Sequence, residues 1–198
     1  MIKIAITGNI GTGKSTIANI LKRMGLKVFE SDLITNEIYK DKKVLNKLKK
    51  EFDNKIVGLF DSQKLINKEK LGNYVFANKK ELQTLESIIH PRIKIKKKKF
   101  ESQYHNEKVL FYDIPLLFEK DMQTSFDFIF YTYVDLRTQR SRVLKRKKMN
   151  EKKFINILKS QNNINPSQKK FVSLNINTKE KIEDIQVTIE NFLSKNVC

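Results

Sequence analysis

Nine residues, Gly8 to Thr16, separate two periodic segments at the start of the chain. Upstream, Ile2, Ile4 and Ile6 alternate with Lys3, Ala5 and Thr7, the period of a strand. Downstream, Ile17, Ile20, Leu21 and Met24 recur at helical spacing, and Gly25 falls where a C-terminal cap belongs. The joining stretch, GNIGTGKST, fits G-x-x-x-x-G-K-[ST] through Gly8, Gly13, Lys14 and Ser15. Such a junction suits an anion: glycines let successive N–H groups turn inward on a phosphate, and the positive end of the helix stands behind them. Gly8, Asn9, Ile10, Gly11, Thr12, Gly13, Lys14, Ser15 and Thr16 are therefore the expected triphosphate-binding residues. Lys14 would reach the β- and γ-phosphates, the Ser15 hydroxyl would hold Mg²⁺, and Thr16 would add a contact nearer the α-phosphate. A plain glycine turn with an exposed lysine leaves the flanking strand and helix unexplained.

A chain of 198 residues can bury the core of one domain, with room for small insertions. Its 40 basic and 22 acidic residues give a net charge of +18. That excess has two readings, a surface for polyanions or a coding bias, since lysine here accompanies abundant asparagine and isoleucine. The one cysteine, Cys198, excludes an internal disulfide and points to a reducing compartment. No apolar run approaches the roughly 20 residues that span a bilayer, and the N-terminus reads as a core strand rather than a targeting segment. A cytoplasmic protein without a membrane partner is expected. Nothing in the sequence sets an oligomeric state.

Beyond the loop, a second strand is expected at Leu26 to Glu30, followed by a lysine-rich and mainly helical stretch from Leu33 to Tyr104. Its turn signals lie near Asp53–Asn54, Gly58 and Asn78. Two apolar strands follow, Val109 to Tyr112, ending in Asp113, and Phe126 to Val134. Strands separated by helices predict an α/β fold with a parallel central sheet and right-handed crossovers. From Arg137 to Lys159 the chain is basic and periodic, with Val143, Ile155 and Leu158 as its sparse apolar residues. A helix so poor in apolar residues buries little and reads as a lid that is solvated until phosphates arrive. A loop at Asn162 to Asn165 with Pro166, and a last amphipathic helix from Ile182 to Leu193, complete the chain.

Four groups could carry chemistry. Asp113 closes a buried strand at the end where open α/β sheets bind ligands; it reads as a second ligand of Mg²⁺, directly or through water, or as a cap of the turn before Pro115. Asp32 follows the second strand, either as the base for an attacking hydroxyl or as the N-cap of a helix from Leu33. His90 precedes Pro91, which predicts a helix boundary or kink there, with the imidazole either facing a substrate phosphate or capping the helix. Gln139, Arg142 and Arg146 have the spacing Q-x-x-R-x-x-x-R, which stacks both arginines on one helical face. Those arginines would either meet phosphate oxygens or form a solvated basic surface. Lys94 and Lys96 to Lys99 wrap around more than one face and read as solvated.

Taken in order, these landmarks resemble the dephospho-coenzyme A kinase family along nearly the whole chain. GNIGTGKST is similar to the family's phosphate loop, and ESDLI to its acidic D-A-D-x-I element. KLGNYVFAN, LESIIHPRI, DIPLLFE and TQRSRVLKR each resemble a family signature, and LESIIHPRI and DIPLLFE are far more diagnostic than the loop. The resemblance implies a P-loop kinase-like three-layer sandwich forming a single domain over 1–198. Its core would be about 1–32, 106–136 and 160–198, its helical acceptor-binding region about 33–105 and its lid about 137–159. It further implies ATP-dependent phosphorylation of the ribose 3′-hydroxyl of dephospho-coenzyme A, the last step of coenzyme A biosynthesis, with Mg²⁺ accompanying ATP. Asp32 then corresponds to the catalytic base, while Lys14 and Arg142 carry charge for the transferred group. Asp32, His90, Pro115, Leu116 and Leu117 fall where the family lines its acceptor site.

This chain also departs from the pattern. Glu30 replaces the first aspartate of the acidic element, Asn36 stands where a basic residue is usual, and Lys68 where arginine is common. Near the C-terminus the family's Q-x-P-x-x-x-K and A-D-x-V-I-x-N elements are eroded: Gln161 remains, but Pro166, Lys169 and SLNINT fit only with an insertion. Two other functions share part of this pattern. A kinase of nucleosides or nucleoside monophosphates would share the loop and an arginine lid but gives no reason for IIHP and DIPLLFE. A nucleic-acid-stimulated ATPase would use the +18 charge, yet the sequence has no N-K-x-D element and no basic platform interleaved with aromatics.

Overall fold

The computed structural model describes residues 1–147, 149–161 and 164–197. Cys198 and the start of the loop expected at Asn162 lie outside the described residues. The chain divides into two compact units, one of residues 1–30 with 104–198 and the other of residues 31–103.

In the first unit, five strands form an all-parallel sheet among the described residues: β1 (Ile2–Thr7), β2 (Val28–Glu30), β3 (Val109–Asp113), β4 (Phe128–Tyr133) and β5 (Leu174–Asn177). Their order is β2-β3-β1-β4-β5, so β1 is central and β3 lies between β1 and β2. The register aligns Ile6 with Asp113, and Glu30 also aligns with Asp113. The expected parallel sheet is present, with strands β2 and β4 shorter at their ends than the sequence predicts. Helix α1 (Lys14–Arg23) follows the loop, opening three residues before its first apolar position. It ends as expected: Gly25 takes a φ of 83°, its N–H reaches Lys22 O at 3.0 Å, and the Leu26 N–H reaches Leu21 O at 3.0 Å. The core gathers Ile4 and Ile6 of β1, Ile17 and Leu21 of α1, Phe111 and Phe130. Phe111 and Phe130 are both fully buried with ring centres 5.9 Å apart, and burying each such ring contributes about 1.5–3 kcal/mol.

The second unit is helical: α2 (Ser31–Ile38), α3 (Lys42–Phe52), α4 (Lys68–Phe76) and α5 (Lys79–Gln103). Asp41, Asn67 and Asn78 accept hydrogen bonds from the first-turn amides of α3, α4 and α5. Its separate core is built from Ile38, Val44, Leu48, Phe52, Leu71, Val75 and Ile89. Of the boundary or kink expected at His90, the boundary is absent, because α5 continues through Pro91. A proline there removes one backbone bond, and the packing of α2, α3 and α4 along α5 outweighs that loss.

The basic segment that reads as one helix is two helices of the first unit, α6 (Leu136–Leu144) and α7 (Glu151–Ser160). The short α8 (Pro166–Lys169) follows, and α9 (Ile182–Asn196) ends the described chain. Among the described residues, no helix is long and apolar enough to cross a membrane.

Candidate active site

The loop between β1 and α1 is shaped by its neighbours as much as by its own glycines. Gly13, with φ 95°, leads directly into α1, and a Cβ there would sit 2.6 Å from Thr178 Oγ1. Gly11, with φ 77°, has no room either: a Cβ would lie 2.5 Å from Val143 Cγ2. Both positions therefore demand glycine for conformation and for space. Behind the loop, the buried Thr132 hydroxyl donates to Thr7 O at 3.1 Å and lies 2.8 Å from the Thr12 hydroxyl, which also reaches Asn9 O at 2.8 Å.

Lys14 curls back over the loop, its Nζ donating to Gly8 O at 2.6 Å and Asn9 O at 3.2 Å. Ser15 and Thr16 are exposed in the first turn of α1, where the Thr16 N–H reaches Gly13 O at 2.9 Å. Asp113 is buried, 7% exposed, at the C-terminal end of β3. A serine hydroxyl and a carboxylate are hard oxygen donors, the kind Mg²⁺ takes, so this donor set fits the ion.

The structure corrects the expectation of a solvated lid helix. Gln139 and Val143 of α6 are 6% and 0% exposed, packed against the phosphate loop. Gln139 Nε2 donates to Ile10 O at 2.7 Å, while the Ile10 N–H donates to Gln161 Oε1, also at 2.7 Å. A polar side chain can pack by hydrogen bonding a backbone group, which hydrophobic periodicity does not register. The two arginines do not share a helical face, because α6 ends at Leu144 and Arg146 is exposed beyond it. Arg142 is half-buried and bidentate, with Nη1 on Thr178 Oγ1 at 2.7 Å and Nη2 on Thr178 O at 2.8 Å. The Thr178 hydroxyl in turn donates to Thr12 O at 2.6 Å, so Arg142 is linked to the loop through one threonine. Thr132 and Thr178 were missed by sequence reasoning. Both follow the rule that C-terminal strand ends face the ligand in open α/β sheets, which is the signal that finds them.

Asp135 caps α6, accepting from Thr138 N at 2.9 Å and Thr138 Oγ1 at 2.8 Å, with Lys179 Nζ at 3.3 Å. Those bonds, the Thr138 N–H first, pull its carboxyl from the ordinary 3.8 down to about 2. A pKa lower in the fold than in the unfolded chain stabilises the protein above pH 4, and that contribution is lost as pH falls from about 4 to about 2. Asp135→Asn keeps the cap without the charge. Thermal melts of both proteins should therefore converge or cross over that window, and curves that stay parallel would remove the cap from the acid response.

Gly8, Asn9, Pro115, Phe118, Glu119 and Tyr131 line a shallow, open hollow beside the loop. Burial, reinforced by the Glu119 carboxylate, raises the Tyr131 hydroxyl above its ordinary pKa. Of the three expected acceptor-side residues here, Pro115 is half-buried, Leu116 is 39% exposed and Leu117 is fully buried.

In the second unit, Asp32 lies inside the first turn of α2, which begins at Ser31, so it is not the N-cap of a helix from Leu33. It is exposed, as is His90 within α5. The two departures Asn36 and Lys68 meet: Lys68 Nζ donates to Asn36 Oδ1 at 2.5 Å and stands 5.2 Å from the centre of the Tyr39 ring. Burial raises the Tyr39 hydroxyl above its ordinary pKa.

Comparison with known proteins gives one consistent result. The profile of the family described as dephospho-CoA kinase matches residues 2–183. A dephospho-CoA kinase of Fusobacterium nucleatum is 34% identical over 194 residues, 96% of this chain and 95% of the relative. The crystal structure of a Thermus thermophilus protein, TT1252, aligns with a TM-score of 0.83 at 25% identity, covering 100% of this chain and 98% of that one. The dephospho-CoA kinase of Campylobacter jejuni aligns with a TM-score of 0.69 at 26% identity, covering 98% and 97%.

Proposed function

Because the chain belongs to the dephospho-CoA kinase family, we propose that it transfers the γ-phosphoryl group of ATP to the ribose 3′-hydroxyl of dephospho-coenzyme A, yielding coenzyme A and ADP in the cytoplasm. The observation that carries this reading is the family match across residues 2–183, which spans every motif from the phosphate loop to the Gln139–Arg142 helix.

Amides of the Gly8–Thr16 loop hold the triphosphate, with the positive end of α1 behind them. Lys14 exchanges its carbonyl partners, Gly8 O and Asn9 O, for β- and γ-phosphate oxygens. Ser15 and Asp113, directly or through water, would hold Mg²⁺, which supplies charge neutralisation on the phosphates. Asp32 accepts the proton of the 3′-hydroxyl as its oxygen bonds to the γ-phosphorus, and the bond from that phosphorus to the bridging oxygen breaks to release ADP. Lys14 and Arg142 stabilise the charge that develops on the transferred group. His90 and the Pro115–Leu117 segment line the acceptor site, with Leu117 its buried member.

An acceptor panel tests the assignment. ADP release from Mg-ATP should depend on dephospho-coenzyme A and stay at background with nucleosides, nucleoside monophosphates, RNA or DNA. Stimulation by one of those instead of dephospho-coenzyme A would overturn it.

A further inference from the structure

The two peptide groups that flank the Ile10 α-carbon are each held by a glutamine that no role above requires. The Gln139 amide donates to Ile10 O, and the Gln161 carbonyl accepts from the Ile10 N–H, each at 2.7 Å. The chemistry of the backbone fixes both orientations: an N–H needs an acceptor and a carbonyl needs a donor. Gln139 comes from α6, whereas Gln161 is the residue that closes α7, where its own N–H reaches Ile157 O at 2.8 Å. Side chains from the ends of two separate helices thus converge on the backbone of one loop residue.

We propose that Gln139 and Gln161 are positioning residues for the ATP triphosphate: Gln161 holds the Asn9–Ile10 peptide plane and Gln139 the Ile10–Gly11 plane, and together they aim the Gly11 N–H and the amides that follow it into the phosphate site. With the Ile10 carbonyl held by Gln139, the Gly11 N–H of the same planar trans peptide points the opposite way, and with the Asn9–Ile10 plane held by Gln161 neither peptide flanking Ile10 swings freely; Gly11 then takes its positive φ. Without the clamp, a glycine-rich loop samples other arrangements, and only the fraction with inward amides binds the nucleotide. The effect therefore appears in ATP affinity rather than in acceptor affinity or in the chemical step. This proposal rests on reading Gly8–Thr16 as the donor site.

The two positions make opposite chemical demands, which supplies the test. At 161 an acceptor suffices, so Gln161→Glu should bind Mg-ATP within about threefold of the unchanged protein, while Gln161→Leu should weaken it about tenfold or more, the usual worth of one lost hydrogen bond. At 139 a donor is needed, so Gln139→Glu should be as weak as Gln139→Leu. Calorimetric binding of Mg-ATP, with KM for dephospho-coenzyme A and thermal melts measured beside it, reads all four variants. The expected pattern is loss in ATP affinity with KM for the acceptor unchanged, and rescue by glutamate at 161 alone. Equal losses for Glu and Leu at 161, no loss for either, or tight binding by Gln139→Glu would overturn the clamp. If the buried 139 variants unfold, the pair at 161 decides. Lys14→Ala in the same calorimeter separates the premise from the proposal. Undiminished ATP binding by Lys14→Ala refutes the donor site itself, whereas weakened binding there with intact binding by Gln161→Leu refutes only the clamp.

Discussion

Replacing Lys14 by alanine should lower phosphoryl transfer by about 10²–10³-fold or more, the range for removing one preorganised donor from a developing anion. Lys14 already sits over the loop, satisfied by two backbone carbonyls that are poor partners for an ammonium compared with a triphosphate. Trading those carbonyls for phosphate oxygens places a full positive charge on the group in transfer. Since Lys14 is the first residue of α1 and alanine is a good helix former, the fold should survive, and melting within a few degrees of the original would show it. Lys14→Arg should not restore the rate, because a planar fork cannot occupy the place of a compact ammonium. A near-normal rate in Lys14→Ala would mean that the loop is not where the donor binds.

Asp32→Asn should retain ATP binding and lose turnover by about 10²–10⁴-fold, the usual contribution of a positioned base. Asparagine has nearly the same shape and still offers an acceptor oxygen, so only the capacity to take a proton is removed. The residue is exposed near the start of α2, and its loss leaves the buried core of that unit, Ile38 through Ile89, untouched. The decisive split is between calorimetric affinity for Mg-ATP, expected to hold, and kcat, expected to fall. Unchanged kcat would assign the base to another group.

Where function rests on local chemistry, the sequence was a good guide. Period two in β1, period 3.6 in α1 and nine intervening residues locate the phosphate loop, because glycine, lysine and hydroxyl each have a physical reason to be there. Gly25 announced its own cap. Elsewhere, packing overrode local rules. Pro91 reads as a boundary or a kink, and three helices packed along α5 carry it through as one helix. The Arg137–Lys159 segment reads as solvated because only apolar residues count toward periodicity, whereas α6 is seated by a buried glutamine bonded to a peptide. Thr132 and Thr178 look like ordinary strand formers until the sheet order brings their hydroxyls under the loop. Asn36 and Lys68 look like two losses, and their side chains meet in one hydrogen bond.

The most direct measurement is of the product. Purified protein incubated with Mg-ATP and dephospho-coenzyme A should yield, by mass spectrometry, a species heavier by one phosphoryl group, with phosphorus–carbon coupling placing it on the ribose 3′-oxygen. Unaltered dephospho-coenzyme A, or a phosphoryl group on any other oxygen, would contradict the account.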